Sequence, residues 1–145
     1  MRAHEIISVF YKKLPQYNPQ FTEGKPYIKK HMKNRENNNY GKFKGDNGTL
    51  VNTGKRYPRD VITISNSNTN SKHPTAKPVP LLEYFIKTYT NVGETVLDNC
   101  MGSGSTGVAC VNTDRNFIGI ELDHNYYDIA KERIEEAVTK NDTII

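Results

Sequence analysis

Hydrophobic and polar positions follow a regular order in the second half of the chain. A short apolar run at residues 96–97 ends in Asp98, and a second apolar run at residues 117–120 ends at Glu121. Between the two runs, a glycine-containing loop leads into a helical pattern that begins at about Ser105. Short apolar runs bounded by turn residues are typical of buried parallel strands. The order therefore predicts a strand, a turn, a helix and a second strand of an α/β domain.

The same pattern predicts two further helices. One begins at Pro80, because proline suits the first helical turn, and it repeats Leu81, Phe85 and Tyr89 on a face that we assign to core packing. The other spans about residues 124–138, and its apolar face would cover the sheet. That face carries Tyr127, Ala130, Ile134 and Ala137. Weaker strand patterns occur at residues 5–11, 51–52 and 61–65, and residues 65–72 are typical of a loop.

Charge divides the chain into a basic and an acidic part. Residues 1–72 hold 14 Lys and Arg against 5 Asp and Glu, a net charge of +9, whereas residues 73–145 have a net charge of −5. A basic segment interleaved with aromatic residues indicates contacts with nucleic-acid phosphates, sugars or bases. The candidate phosphate contacts are Lys12, Lys13, Lys29, Lys30, Lys33 and Arg35. The alternative is a solvated, partly disordered surface, which we expect for residues 29–56.

The glycine loop predicts a site for a nucleotide-type cofactor. Gly102, Gly104 and Gly107 form the pattern G-x-G-x-x-G, and Glu121 at the end of the second strand could accept hydrogen bonds from ribose hydroxyls. A carboxylate at the mouth of the loop, Asp98, would repel the pyrophosphate of NAD. The same carboxylate suits a ligand with an ammonium group, which favours S-adenosylmethionine. An NAD-binding fragment stays the weaker alternative.

A second motif lies just upstream of the predicted domain. Residues 73–78 read HPTAKP, in which prolines make the backbone stiff and extended around Thr75 and Lys77. A hydroxyl and a cation in this arrangement could hold a carboxylate. The alternative is a structured linker in which Lys77 is merely solvated.

Together these motifs resemble the DNA amino-methyltransferases, which methylate adenine N6 or cytosine N4 with S-adenosylmethionine. HPTAKP, a helix, VLDNCMGSGSTG and then FIGIELDHNYYDIAKERI occur in the order of the permuted class, whose catalytic motif precedes the cofactor motifs. The resemblance is strong over residues 72 to about 138 and looser before them. It implies an α/β fold: a partial methyltransferase sheet of the Rossmann-like type, preceded by a basic, partly irregular segment. We expect residues 1–72 to belong to target recognition, residues 73–140 to bind the cofactor, and residues 141–145 to form a tail.

The resemblance also implies roles for individual residues. Thr75 and Lys77 would hold the methionine carboxylate of S-adenosylmethionine, and Glu121 its ribose. Asp98 and the loop formed by Met101, Gly102, Ser103 and Gly104 would lie under the methionine amino group. Asp123 would either lie near the adenine or cap the following helix, and we favour the cap. The family often has Asp-Pro-Phe where this chain has Asp98-Asn99-Cys100, which puts an aromatic contact with the ligand in doubt.

One family motif is absent from the sequence. The resemblance implies a tetrapeptide of Asp, Asn or Ser followed by Pro-Pro and an aromatic residue, which holds the flipped base. The chain has seven prolines, and no two of them are adjacent. We therefore name no catalytic residue, expect the motif before Met1, and interpret the chain as the C-terminal part of a DNA methyltransferase, with adenine preferred over cytosine. Its partner would be double-stranded DNA, and the catalytic motif would come either from a longer reading frame or from a second chain. A truncated, inactive remnant is the alternative.

Other features narrow the function by what the sequence lacks. No apolar run approaches the roughly 20 residues of a membrane helix, and no signal-peptide pattern occurs at Met1, so we expect a cytoplasmic protein without a membrane partner. Cys100 and Cys110 have no metal-ligand spacing, and we expect free thiols and no metal site. Because a partial sheet leaves a central strand unpaired on one side, we also expect marginal stability, aggregation or a partner chain.

Overall fold

The computed structural model describes residues 4–30, 49–65 and 76–142. These residues form β1 (Thr22–Glu23), β2 (Tyr27–Lys30), β3 (Thr49–Asn52), β4 (Lys55–Arg56), α1 (Val79–Tyr89), β5 (Thr95–Asp98), α2 (Ser105–Val111), β6 (Asn116–Gly119) and α3 (His124–Asp142). The chain divides into two compact units. One comprises residues 1–18 and 61–145, and the other comprises residues 19–60. The functional division of the chain at residue 72 stays a prediction.

The unit of residues 1–18 and 61–145 contains the predicted β-α-β arrangement. Strands β5 and β6 are parallel neighbours, with Asp98 opposite Gly119 at their carboxyl ends, and helix α2 connects them. A parallel pair requires such a crossover, because a tight turn can join only antiparallel strands. The prediction of a Rossmann-like part-sheet is confirmed, and β5, α2, β6 and α3 lie close to their predicted positions.

The core of this unit lies between the helices and one face of β5 and β6. Ile86 of α1 packs with Ala109 and Cys110 of α2, and the surrounding half-buried residues are Val79, Leu82, Val96 and Phe117. Helix α1 packs on α2, and α2 packs on α3 and β6. The assignment of Leu81, Phe85 and Tyr89 to the core face of α1 is wrong in detail. These three side chains are only half-buried, whereas the buried apolar side chain of α1 is Ile86.

The opposite face of β5 and β6 is apolar and exposed. Leu97 is 62% exposed, Ile118 54% and Ile120 55%. Within the described ranges, β5 pairs only with β6. Parallel sheets are ordinarily covered on both faces, whereas the described residues leave this apolar face exposed.

The second unit is built from antiparallel pairs. Strand β2 pairs with β3 in the register Tyr27 to Asn52, and β1 pairs with β4 in the register Thr22 to Arg56. The ring of Phe21 packs edge-on against that of Tyr57, with centroids 4.8 Å apart. Of the segment 29–56, the structure describes residues 29–30 and 49–56, which contribute to β2, β3 and β4, and the expectation of partial disorder stays a prediction. Residues 31–48 lie outside the described residues.

Two of the weaker strand predictions fail. Residues 5–11 and 61–65 have no regular secondary structure, whereas residues 51–52 lie in β3 as expected. The N-terminal segment instead reaches the end of α1 at Asn18. The Asn18 amide N–H donates to Thr88 O at 2.7 Å, and its side chain donates to Thr90 O at 3.0 Å. Asn18 thus satisfies carbonyl groups that a helix C-terminus leaves without intrahelical partners.

Two absences hold for the part of the chain that the structure describes. None of its helices combines the length and the apolar character needed to cross a membrane. No cluster of three or more His, Cys, Asp or Glu side chains is arranged to hold a metal ion within the same ranges. The predicted loop at residues 65–72 lies almost entirely outside them.

Candidate cofactor-binding site

The carboxylate of Asp98 is held at both oxygens where β5 ends. The backbone N–H of Cys100 donates to Oδ1 at 3.1 Å, and the hydroxyl of Thr106 donates to Oδ2 at 2.6 Å. Thr106 lies in the first turn of α2, so this bond links the end of β5 to the beginning of the helix. The Asp98 side chain is half-buried, and these two hydrogen bonds limit its rotation.

The glycine loop is shaped by its contact with α3. Gly104 has φ +77°, and a Cβ atom built there would lie 2.8 Å from Cβ and 2.9 Å from Cα of Ala130. At Gly107, such an atom would overlap the side chains of Ile134 and Phe117. Close packing against the α3 backbone therefore demands glycine at Gly104, in addition to any approach of a ligand, whereas a Cβ at position 107 would require the two side chains to shift.

Arg133 of α3 supports the same loop from outside. Its guanidinium donates to the backbone carbonyl of Ser103 and to Ser103 Oγ, the latter at 2.9 Å, and approaches Ser105 Oγ at 3.5 Å. Ser103 and Ser105 are buried, and the guanidinium spans both sides of Gly104. The loop conformation is thus fixed by α3 as well as by its own glycines.

Glu121 joins the loop to the region beyond β6. Its Oε2 accepts a hydrogen bond from Gly102 N–H at 2.8 Å, and its Oε1 accepts from Leu122 and Asp123 N–H, both at 3.0 Å. These backbone donors, Asp123 and Gly102 foremost, lower the pKa of Glu121 below its ordinary value. A carboxylate has about four lone-pair sites, so Glu121 can accept a further donor such as a ribose hydroxyl.

A cavity of about 210 Å³ opens beside Asp98. It brings a cation and an anion together, since both Lys77 and Asp98 line it. The remaining lining residues are Ala76, Leu82, Cys100, Met101, Gly102, Ser103, Ser105 and Thr106. An ammonium and a carboxylate facing one small cavity complement a ligand that carries the same two charges, such as an α-amino acid group.

The Lys77 ammonium is paired with a carboxylate of the chain itself. Its Nζ lies 2.9 Å from Oε2 and 3.1 Å from Oε1 of Glu5. Both side chains are more than half exposed, so the ion pair is open to solvent and to competing anions. The Glu5 carboxylate therefore occupies the Lys77 ammonium in this structure, and a role of Lys77 in binding a ligand stays a prediction.

The structure brings most of the predicted cofactor residues together. Lys77, Asp98 and residues 101–103 line the cavity, and Glu121 contacts the same loop through Gly102. Gly104 contributes its packing against Ala130 and does not line the cavity. Thr75 lies outside the described residues.

Asp123 acts as the cap of α3. Its Oδ1 accepts hydrogen bonds from the backbone N–H of Asn125 at 2.8 Å and of Tyr126 at 3.2 Å. These are the second and third residues of the helix, the donors that an N-cap carboxylate ordinarily satisfies. The helix-cap interpretation accounts for this side chain, and a contact of Asp123 with adenine stays a prediction.

The predicted nucleic-acid contacts are only partly described. Lys12 and Lys13 are exposed in the unit that contains the cavity. Lys29 is exposed on β2 of the other unit, and Lys30 ends the same strand. Lys33 and Arg35 lie outside the described residues. Their role stays a prediction.

Sequence reasoning missed three groups around the cavity. Thr106 could have been predicted from the sequence, because α2 begins at Ser105 and its first turn lies at the sheet edge where β5 ends. Arg133 and Glu5 gave no local signal, since they reach the site from 30 and 72 residues away in the sequence.

The amino-acid sequence is similar to proteins of a known enzyme class. A family model of DNA methylases matches residues 1–132. The type II methyltransferase M2.MboI of Moraxella bovis is 35% identical over 122 residues, which cover 80% of this chain and 42% of that protein. The type II methyltransferase M2.DpnII of Streptococcus pneumoniae is 47% identical over 64 residues, which cover 44% of this chain and 24% of that protein.

A solved structure shares the fold. The cytosine-N4-specific PvuII DNA methyltransferase matches with a TM-score of 0.50 and 27% identity, over 58% of this chain and 36% of that protein. The chain thus spans less than half the length of each of these proteins. Because the family model covers most of the sequence, and because a relative above 30% identity covers four-fifths of it, this chain belongs to the DNA methylase family of N6/N4 methyltransferases.

Proposed function

We propose that this chain binds S-adenosylmethionine, with the methionine group in the cavity between Lys77 and Asp98 and the ribose at Glu121. The observation that carries the proposal is the pair of opposite charges on one cavity. The Asp98 carboxylate would attract the ligand's ammonium, and the Lys77 ammonium would attract its carboxylate.

The residues present fit this cofactor. The cavity volume of about 210 Å³ is below the roughly 300–1,000 Å³ of a whole ligand pocket, so it suits one end of the molecule. Asp98 would repel the pyrophosphate of a dinucleotide, which argues against NAD. When bound, S-adenosylmethionine would supply an electrophilic methyl group. The chain's own part would be to hold the donor at its amino-acid end and its ribose.

We further propose that the donor serves methylation of an exocyclic amino group in DNA, with adenine N6 preferred over cytosine N4. Family membership supports the reaction class, and the preference for adenine rests on overall resemblance. The Pro-Pro motif that would hold the base does not occur in this sequence. We propose that further polypeptide supplies it and covers the exposed apolar face formed by Leu97, Ile118 and Ile120.

Double-stranded DNA is the proposed substrate. Its phosphates would be contacted by basic side chains, namely those of Lys12, Lys13, Lys29, Lys30, Lys33 and Arg35. Neutralising two phosphate-contacting lysines, as in Lys12→Gln with Lys13→Gln, should flatten the dependence of log affinity on log salt by about 2. An unchanged salt slope in fluorescence anisotropy would remove these two residues from the interface.

Calorimetric titration of the purified chain with S-adenosylmethionine tests the donor site, with NAD as the control ligand. We expect Asp98→Asn and Glu121→Gln each to weaken binding by about 1–3 kcal/mol, because each removes a charged hydrogen-bond partner. The matched control is Asp128→Asn, which neutralises an exposed carboxylate on α3 outside the cavity. Wild-type affinity in both site variants would refute the assigned site.

Transfer of a labelled methyl group to DNA tests the reaction. We expect no transfer by the chain alone, and transfer after addition of a polypeptide that carries an Asp/Asn/Ser-Pro-Pro-aromatic motif. Nucleoside analysis of the product identifies the methylated base. Transfer by the pure chain would contradict the proposed need for that motif. Donor binding without transfer under any pairing would favour the inactive remnant.

A further inference from the structure

The Asp98 carboxylate owes part of its orientation to a hydroxyl on another element. The Thr106 hydroxyl donates to Asp98 Oδ2 at 2.6 Å, and the Cys100 backbone N–H donates to Oδ1 at 3.1 Å. Thr106 and Asp98 are both half-buried and both line the cavity. The side-chain rotation of Asp98 is therefore limited by one bond from the loop and one bond from α2.

This arrangement leaves capacity for a ligand. A carboxylate oxygen has two lone pairs, and each oxygen of Asp98 uses one of them on the bonds just described. One lone pair on each oxygen stays available, and its direction is set by the bond that occupies the other. A hydroxyl is well suited to orienting the carboxylate, because it is neutral and does not neutralise the negative charge that a ligand's ammonium would need.

We propose that Thr106 is a positioning residue that aims the Asp98 carboxylate at the ammonium group of the methyl donor. The inference rests on the proposed donor site and adds a residue to it. Without the hydroxyl, Asp98 could rotate away from the cavity, and an ammonium would have to fix the carboxylate as well as bind it. The conformational freedom lost on binding would then weaken the affinity.

A purely structural role for Thr106 predicts a different outcome. The bond also ties the end of β5 to the first turn of α2, so its loss could simply loosen the loop. Loosening would weaken every ligand of the site. Loss of positioning would weaken only ligands that carry the ammonium group.

The experiment compares two ligands on three variants by calorimetric titration. S-adenosylmethionine carries the ammonium, and 5′-methylthioadenosine keeps the adenine and ribose but lacks the amino-acid group. Thr106→Val removes the hydroxyl at nearly constant shape, and Thr106→Ser keeps it. The matched control is Thr88→Val in α1, where the hydroxyl donates to the Tyr84 carbonyl and does not line the cavity.

We expect Thr106→Val to bind S-adenosylmethionine roughly 5- to 20-fold more weakly, within the range for a hydrogen bond to a charged group. Binding of 5′-methylthioadenosine should stay within about twofold of wild type, since that ligand makes no contact with Asp98. Thr106→Ser and Thr88→Val should bind S-adenosylmethionine like the wild type. Equal loss of both ligands in Thr106→Val, or no loss of S-adenosylmethionine, would overturn the inference.

A double-mutant cycle with Asp98→Asn provides an independent readout with S-adenosylmethionine alone. If Thr106 acts through Asp98, Thr106→Val should add little further loss once Asp98 is neutralised. Additive losses would overturn the inference while leaving the donor site standing. A folded wild-type chain that binds no S-adenosylmethionine would instead refute the proposed function, and the inference with it.

Discussion

Alanine at Gly104 should destabilise the chain far more than alanine at Gly93. The two glycines have nearly the same positive φ, +77° and +80°, so an L-residue at either position pays the cost of a left-handed φ. They differ in surroundings. A Cβ at Gly93 would have no heavy atom within 4 Å, whereas a Cβ at Gly104 would lie 2.8–2.9 Å from Cβ and Cα of Ala130.

The magnitude follows from these contacts. Left-handed backbone costs an L-residue about 1–2 kcal/mol, and the stiffer unfolded chain returns about 0.4–1 kcal/mol, so we expect about 1 kcal/mol of destabilisation for Gly93→Ala. The atoms that a new Cβ would meet at Gly104 belong mainly to the backbone and Cβ of α3, which cannot move without displacing the helix. Overpacking of this kind costs about 1–3 kcal/mol more, which gives about 2–4 kcal/mol for Gly104→Ala.

Urea unfolding followed by circular dichroism measures both variants. The contact with α3 is supported by a difference of about 1–3 kcal/mol between them, or by loss of a folded baseline in Gly104→Ala alone. Free energies of unfolding that agree within about 0.5 kcal/mol would refute the reasoning, because the shared backbone cost would then explain both substitutions.

Three further predictions concern the site. Glu5→Gln should tighten S-adenosylmethionine binding by up to about fivefold, since an exposed ion pair contributes at most about 1 kcal/mol. The affinity for decarboxylated S-adenosylmethionine should not change, because this ligand has no carboxylate to compete with Glu5. Unchanged calorimetric titrations with both ligands would exclude competition by Glu5. Iodoacetamide should alkylate Cys100, which is exposed at the cavity, and spare Cys110, because burial raises the pKa of Cys110 to about 11. Bound S-adenosylmethionine should protect Cys100 from alkylation, as measured by mass spectrometry. A lack of protection would argue against the proposed site. Backbone hydrogen bonds lower the pKa of Glu121, so the NMR signal of its carboxyl should titrate with a midpoint below pH 4.5. Ionised Glu121 should then stabilise the fold at pH values above its unfolded pKa, and this contribution should be lost as the pH falls through the lower folded pKa. A midpoint at or above 4.5 would contradict the hydrogen bonds to the Glu121 carboxylate.

The failed strand predictions have a common physical cause. Residues 5–11 and 61–65 have apolar residues and strand propensity, but a strand also needs a neighbour for its backbone hydrogen bonds. The converse holds in the second unit, where β2 and β3 pair although the polar sequence between them gave no hairpin signal. Strand pairing is a long-range property that a local pattern does not contain.

The sequence by itself determined the order of elements around the site. Short apolar runs, a glycine loop and a helical repeat depend on neighbours within a few residues, so β5, α2, β6 and α3 could be predicted. The ends of parallel strands meet at one edge of a sheet, and Asp98 and Glu121 were predicted as site residues because each follows such a strand. The cap at Asp123 is equally local, since its partners are two and three residues away.

Only the tertiary structure decided how these residues are held. The hydroxyl of Thr106 on Asp98, the guanidinium of Arg133 on Ser103 and the ion pair of Lys77 depend on how strands and helices pack in space. The sequence identified Gly104 as part of a loop, and the packed structure supplied the reason, which is the approach of α3. Secondary structure follows from short-range periodicity, whereas the orientation of a side chain follows from close packing between segments that are distant in the chain.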